Sequence, residues 1–492
     1  MDEKMELKER IANLRERSSQ AQRRWRTVPL AQRSRCAANV ARQLAADCDL
    51  WLDRLASPLR IDPVDSLAGE LLPLADAAAW LSKKAVGILA DRQASFWQRP
   101  WWMGRLRART CRVPWGRVLI LGAWNYPLLL MGVQSLQALV AGNSVLLKPP
   151  PGGELVASAW CELLAASGFP ADIVLMLGSD ASEAQEAMRQ GIEHVVLTGA
   201  SSTGRKVLEQ LAPRLTPATL ELSGCDSCVV WHDADLDRAA AAIAYSLTFN
   251  ASCTCMAIRR VLCHDKVYSE LIVRLRRHLQ ASDKIPVYTS SLRHLKQHWE
   301  DACGMGAKSL DGASFPDIPD STQVTTTQPL VLMDCPFPSP VDSLDLFAPW
   351  LAISRVESIE QLRSYWGDCK YGLTSVFFGG QTIPQGLKSD LQVGTILFDD
   401  IFVPTADPQL SFGGFGESGY GVTRGPEGLL AMTRPQVVAK RLGRWLPHLD
   451  SKKGTELDIL KGIMLSRHGA TWKKKLEGWK RLSEAGGRHK QR

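Results

Sequence analysis

Apolar residues recur at helical spacing through the first sixty positions, at Leu7, Ile11 and Leu14 and again at Val40 and Leu44, and predict amphipathic helices. Asp62-Pro63 breaks that pattern, and a further helical segment is expected from about Ser66 to Ala90. The pattern then changes. Between Arg117 and Lys148 there is no charged residue, a length that could span a bilayer. Asn125, Pro127, Gly132, Gln134, Gln137 and Gly142 interrupt it. It therefore reads as strand 118–121, loop 122–127, helix 128–140, turn 141–143 and strand 144–147. Strands covered on both faces give such continuous apolar runs, so a buried βαβ unit is expected rather than a transmembrane helix.

The alternation continues with a helix at 154–167, a strand at 173–177, a helix at 182–190 and a short strand at 194–197. That strand opens into Thr198-Gly199-Ala200-Ser201-Ser202-Thr203-Gly204-Arg205. A strand, a glycine turn and a helix present backbone N–H groups to a phosphate. The spacing is Gly-x4-Gly, not the dinucleotide fingerprint, so an ordinary βα turn stays open. Helices and strands alternate again over 235–280 and 329–397, around a polar insert at 311–328. The fold class is α/β.

Composition is that of an ordinary globular chain, with 45% hydrophobic and 22% charged residues. Net charge is +8, and its location matters. Residues 451–492 hold 12 Lys and Arg against 4 Asp and Glu, whereas the first 450 residues hold 47 of each sign. The neutral body argues against nucleic-acid binding and confines any acidic partner to the tail. Within the tail, Trp472-Lys473-Lys474-Lys475-Leu476 and Trp479-Lys480-Arg481-Leu482 are amphipathic. They fit a solvated helix, a partner-docking segment or a membrane-surface contact. The segment Trp97–Arg112 interleaves three Trp with five Arg. It reads as a strand hairpin that covers another subunit, in preference to a nucleic-acid or membrane contact. The charged start, Met1-Asp2-Glu3-Lys4, is not an export signal, so a cytoplasmic location and twelve reduced cysteines are expected.

Two stretches carry candidate chemistry. In Phe249-Asn250-Ala251-Ser252-Cys253-Thr254-Cys255 a thiol stands among small residues, open to attack a substrate or simply filling a core. In Thr219-Leu220-Glu221-Leu222-Ser223-Gly224 a lone carboxylate sits between apolar residues. Burial would raise its pKa and suit it to general-base work; a salt-bridged strand end is the alternative. Cys225-x2-Cys228 with Cys253-x-Cys255 does not have zinc-finger spacing, and no metal site is expected.

Taken in order, the motifs resemble the aldehyde dehydrogenase superfamily from about Pro114 to Val438. They are Pro114-Trp115-Gly116, Gly122-Ala123-Trp124-Asn125-Tyr126-Pro127, Leu147-Lys148-Pro149, Thr198-Gly199 through Gly204-Arg205, Leu220-Glu221-Leu222, Asn250 through Cys255, Phe347-Ala348-Pro349, Tyr371-Gly372-Leu373, and Ser411-Phe412-Gly413-Gly414 with Ser418-Gly419. The resemblance implies a Rossmann-type cofactor domain (1–97 and 114–222) and a second α/β catalytic domain (223–431). It also implies a strand arm for oligomerisation (98–113 and 432–443), hence a homodimer or tetramer. The basic tail, 444–492, has no counterpart.

The resemblance further implies that Cys255 attacks an aldehyde, that Asn125 and the Cys255 N–H hold the oxyanion, and that Glu221 activates the hydrolytic water. NAD or NADP would be held by Lys148, Gly199, Ser201, Gly204, Trp124, Asp345 and Phe347. Several positions depart from the family pattern. Asp345 stands where Glu is usual, and Pro151 stands where NAD-preferring members carry an acid, which leaves NADP acceptable. Ser223, Cys225 and Cys253 replace the usual Gly, Lys and Gln. The close pair Cys253 and Cys255 leaves open a reversible oxidation or two reduced thiols. The expected function is NAD(P)-dependent oxidation of an aldehyde to an acid. An acyl-thioester reductase or coenzyme A-acylating enzyme and a non-enzymatic relative with a binding role are the alternatives. Trp124, Met131 and Cys253 near the pocket suggest an apolar or aromatic aldehyde.

Overall fold

The computed structural model describes residues 2–367, 369–381, 383, 386, 391–442, 448–449 and 454–491. The chain forms two compact units, Met1–Leu89 with Val113–Arg434 and Ala90–Arg112 with Pro435–Arg492.

The larger unit contains two sheets. The first has the strand order Gly419–Tyr420, Ala218–Leu222, His194–Gly199, Arg117–Leu121, Ser144–Lys148 and Val174–Met176. All its pairs are parallel except Gly419–Tyr420 against Ala218–Leu222. The long uncharged run is the βαβ unit expected, with its helix at Leu129–Ala141. Its strands are apolar on both faces because both are covered. Val118 and Ile120 enter one core, with Trp160 and Leu136; Leu119 and Leu121 enter the other, with Leu175 and Leu211. Gly142, in the left-handed region at φ 100°, ends the helix. Chain order reverses between Arg117–Leu121 and His194–Gly199, so the crevice at their C-terminal ends is the topological switch point of a doubly wound sheet.

The second sheet runs Lys308–Ser309, Leu330–Met333, Trp350–Val356, Ile258–His264, Asp226–Val230, Thr374–Phe378 and Thr395–Phe398. Only its edge pair, Lys308–Ser309 with Leu330–Met333, is antiparallel. The polar insert at 311–328 ends in a strand, Val324–Thr327, paired antiparallel with Ile285–Tyr288.

Three expectations shift. Asp62-Pro63 starts a helix rather than preceding one: Asp62 Oδ1 accepts the Val64 N–H at 2.8 Å and Pro63 occupies the first helical position. That helix continues through a π-turn, Leu67–Leu71, into Leu72–Ile88. The Trp/Arg segment begins its pairing earlier than expected, with Arg92–Gln93 against Leu106–Pro114. Between them lies a short 3-10 turn at Trp101–Met103, and Thr433–Arg441 completes the three-stranded sheet. The tail is two helices, Glu456–His468 and Trp472–Gln491. Among the described residues, no helix is long and apolar enough to cross a membrane.

Candidate active site

A cavity of about 680 Å³ lies at the switch point, within the larger unit. Cys255, Glu221, Asn125, Trp124, Lys148, Gly199, Asp345 and Phe347 all line it. Ser201 and Gly204 do not. The Ser201 hydroxyl donates to the Glu417 carbonyl at 2.7 Å. Gly204 lets the helix Ser201–Leu211 press on the sheet: a Cβ there would lie 2.9 Å from Leu222 Cδ1. That close helix–strand packing holds the helix N-terminus at the C-terminal ends of the strands.

Cys255 ends a loop with an unusual backbone. Asn250, Ala251 and Ser252 are successive left-handed residues, at φ 49°, 50° and 58°, and none is glycine. Such conformations cost about 1–2 kcal/mol per residue and persist only where surrounding groups fix them. Here three segments do so. Asp65 Oδ2 accepts the Asn250 N–H at 2.7 Å. The Asn250 side chain donates to the Asn125 carbonyl at 3.2 Å, and the Asn125 side chain donates back to the Cys253 carbonyl at 2.9 Å. The Tyr126 and Thr254 hydroxyls bond one another. Arg259 donates to the Ser252 carbonyl at 2.6 Å, the Ser252 hydroxyl at 2.8 Å and the Ala348 carbonyl at 2.7 Å. One buried guanidinium thus ties the cysteine loop to the Asp345–Ala348 segment on the same cavity.

The loop bearing Asn125 is anchored from behind. Glu70, fully buried, accepts the Leu128 and Leu129 N–H groups at 2.7 and 3.0 Å, at the start of the helix Leu129–Ala141. Burial pushes the Glu70 carboxyl up to about 7, opposed by Arg60 and by these two N–H groups. Arg60 also donates to the Trp124 carbonyl at 3.0 Å.

Glu221 is 3% exposed. Its Oε2 accepts the Thr423 hydroxyl at 2.9 Å, while among the described residues Oε1 has no hydrogen-bond partner. Burial raises its pKa, opposed by Arg424 and Thr423. The salt-bridged strand-end alternative does not hold, since no ion pair forms on this carboxylate among the described residues. The Cys255 thiol is also pushed up, first by burial and then by Glu221 and Asp226 nearby. Burial thus disfavours the charged form of each group and raises the proton affinity of both. Asp345 is raised by burial and held back by Ser223 and Arg259. Burial lowers Lys148, whose ammonium donates to the Pro149 carbonyl at 3.1 Å. No disulfide joins any of the twelve cysteines.

A match to the aldehyde dehydrogenase family spans residues 5–438. The chain belongs to the aldehyde dehydrogenase family. A 4,4'-diapolycopene aldehyde oxidase from a Methylomonas species is 30% identical over 84% of this chain and 78% of its own length. A Mycolicibacterium smegmatis protein named as an NADP-dependent succinate-semialdehyde dehydrogenase is 27% identical over 85% of this chain and 82% of its own. In structure, the chain is similar to the NADP-dependent glyceraldehyde-3-phosphate dehydrogenase of Bacillus halodurans complexed with NADP. The TM-score is 0.80 at 25% identity, over 89% of this chain and 92% of that one. This aldehyde dehydrogenase family member is thus of the α/β class.

Sequence reasoning missed Arg259, Glu70, Asp65, Thr423 and Arg424. A signal existed for two of them: Arg259 in Ile258-Arg259-Arg260-Val261-Leu262 and Glu70 in Leu67-Ala68-Gly69-Glu70-Leu71-Leu72 are charges inside apolar runs, as Glu221 is. Asp65, Thr423 and Arg424 act through long-range contacts that carry no local pattern.

Arg259→Gln should lower stability by about 1–3 kcal/mol, because it strips charged donors from buried carbonyls, and urea unfolding measures that loss. Glu221→Gln removes a like charge beside the thiol, so alkylation of Cys255 by iodoacetamide should shift to lower pH. An unshifted profile would mean that the thiol does not sense this carboxylate.

Proposed function

We propose that this aldehyde dehydrogenase oxidises an apolar aldehyde to its carboxylate, with NADP as the favoured acceptor, through a covalent step on Cys255. The observation that carries this reading is that Cys255, Glu221 and Asn125 line one cavity. Glu221, poised by burial to take a proton, receives that of the thiol, and the thiolate adds to the aldehyde carbon. Asn125 gives one N–H to the Cys253 carbonyl and keeps its second donor for the developing oxyanion. The nicotinamide, when bound, accepts the hydride. Asp345, Phe347 and Lys148, which line the same cavity, would hold the cofactor. Glu221 releases the thiol proton to solvent and then deprotonates a water that attacks the thioester carbonyl; the carboxylic acid leaves and loses its proton, and Glu221 returns its own to the cysteine, which regenerates the thiol. Aldehyde, water and oxidised cofactor give carboxylate, reduced cofactor and two protons.

Two features support the choice of cofactor and substrate. Lys148 and Lys206 line the cavity, and Pro151 stands where a carboxylate would repel a 2′-phosphate. Around the cysteine loop, Leu59, Ala251, Cys253 and Ile285 form a buried apolar cluster with Trp124, Val324 and Phe347 packed on it. Trp124 makes edge contacts with Phe347 and Tyr288 at 5.4 and 5.5 Å. Arg60 donates to the Leu55 and Trp124 carbonyls and Arg259 to Ser252 and Ala348, so both already spend donors on the protein. The similar 4,4'-diapolycopene aldehyde oxidase is named for an apolar aldehyde. For assembly, we assign the arm sheet, with Thr433–Arg441 exposed along most of its length, as the joint between copies in a homodimer or tetramer.

The test is reduced-nicotinamide absorbance with long-chain, aromatic and semialdehyde substrates, NAD or NADP, each with and without coenzyme A. NADP reduction with apolar aldehydes and no coenzyme A is expected. Signal only with coenzyme A would replace hydrolysis by acyl transfer, and turnover confined to succinate semialdehyde would overturn the apolar substrate.

A further inference from the structure

The C-terminal helix pair is built inside out for water. Its helices, Glu456–His468 and Trp472–Gln491, meet through small residues. A Cβ on Gly462 would lie 3.0 Å from the Gly478 carbonyl, and a Cβ on Gly478 would lie 2.2 Å from the Ser466 amide nitrogen. Gly462, Ser466, Gly478 and Ala485 are the buried positions. Such backbone-to-backbone contact at small residues is the packing that helices use in lipid, where large apolar side chains gain nothing by turning inward.

Ile459, Ile463, Leu465 and Leu482 are half-buried in the pair, Leu482 against Gly462, but other large side chains point outward. Leu457, Leu460 and Met464 share one face of the first helix, about 167° of arc from Gly462 by the 100° per residue of a helix, and are 63%, 59% and 64% exposed. Trp472 and Leu476 share a face of the second helix and are 75% and 52% exposed. A monomer in water normally scatters such residues singly rather than setting five of them on one hairpin.

Charge selects the occupant of that face. Lys473, Lys475 and Lys480 flank the Trp472–Leu476 stripe, within the segment that carries the whole excess of positive charge. A neutral or basic protein surface would not compensate them; an anionic headgroup layer would. Neither helix can span a bilayer. The basic, amphipathic second helix would lie in the interface plane, its apolar stripe in the headgroup–acyl boundary and its lysines among the phosphates, with the exposed Leu457, Leu460 and Met464 of the first helix entering the same boundary.

We propose that the hairpin 456–491 is an interfacial anchor that docks this enzyme on an anionic lipid surface. The inference stands on the tail alone and does not depend on the substrate or mechanism proposed above.

Vesicle flotation of the full chain tests it, with phosphatidylglycerol-rich and pure phosphatidylcholine vesicles at low and high salt. The protein should float with the anionic vesicles, and less so at high salt. Lys473→Glu, Lys475→Glu and Lys480→Glu combined should weaken binding about 100-fold. Leu460→Glu, Met464→Glu and Trp472→Glu combined should abolish it even at low salt. Circular dichroism and thermal unfolding of both variants check that the chain still folds. Absence of flotation with every vesicle overturns the proposal. So does a wild-type chain that ignores vesicles but loses oligomeric mass by light scattering when the apolar face is charged, because the face would then be a subunit contact.

Discussion

Three left-handed residues in a row, none of them glycine, stand in the loop that leads to Cys255, and much of the site is arranged to hold them. Left to itself, Asn250-Ala251-Ser252 would relax to an ordinary turn and carry Cys255 off the cavity wall. Arg259, Asp65 and the Asn125–Tyr126 loop bond it from different directions. Each of these anchors is itself buried or tied to a secondary element. Arg259 begins a central strand of the second sheet, and the Asn125 loop runs into a helix whose first N–H groups end on Glu70. Local strain is thereby converted into position: the loop has one place to be.

The same burial sets the acid–base character of the site. Cys255 and Glu221 line one cavity, where burial disfavours the charge on each and Glu221 further disfavours that on Cys255. Raised in this way, the thiol favours its protonated form, which is less open to oxidation. Arg424 and Thr423 act in the opposite sense on Glu221, which leaves the carboxylate able to take a proton without being locked as an anion. The positive charge of an oxidised nicotinamide in the cavity would favour the thiolate by simple Coulomb attraction.

Much of this was legible in the chain. The uncharged run at 118–147 announced its βαβ unit because doubly covered strands need apolar residues at every position, and Glu221 announced itself as a charge where none is affordable. The glycine turn at Gly199–Gly204 pointed to the right crevice, although Gly204 turns out to serve helix packing against Leu222 and Ser201 bonds to Glu417. The supports of the nucleophile were less legible. Asp65, more than 180 residues before Asn250, leaves no periodic trace, since its partner is fixed by tertiary folding. Asp62-Pro63 was misleading for a local reason: a proline that ends one helix also starts the next well. The amphipathic tail was visible as composition, but only the glycine contacts show which faces the two helices bury.

The central claim is that the substrate passes through a bond to Cys255 that Glu221 is needed to break. Peptide mass spectrometry of the Glu221→Gln enzyme, incubated with an apolar aldehyde and NADP, tests it most directly. The account predicts an acyl group accumulating on the Cys255 peptide and absent from the wild-type enzyme at steady state. An acyl group on Cys253 instead, or continued oxidation with no acyl-protein in either enzyme, would contradict it.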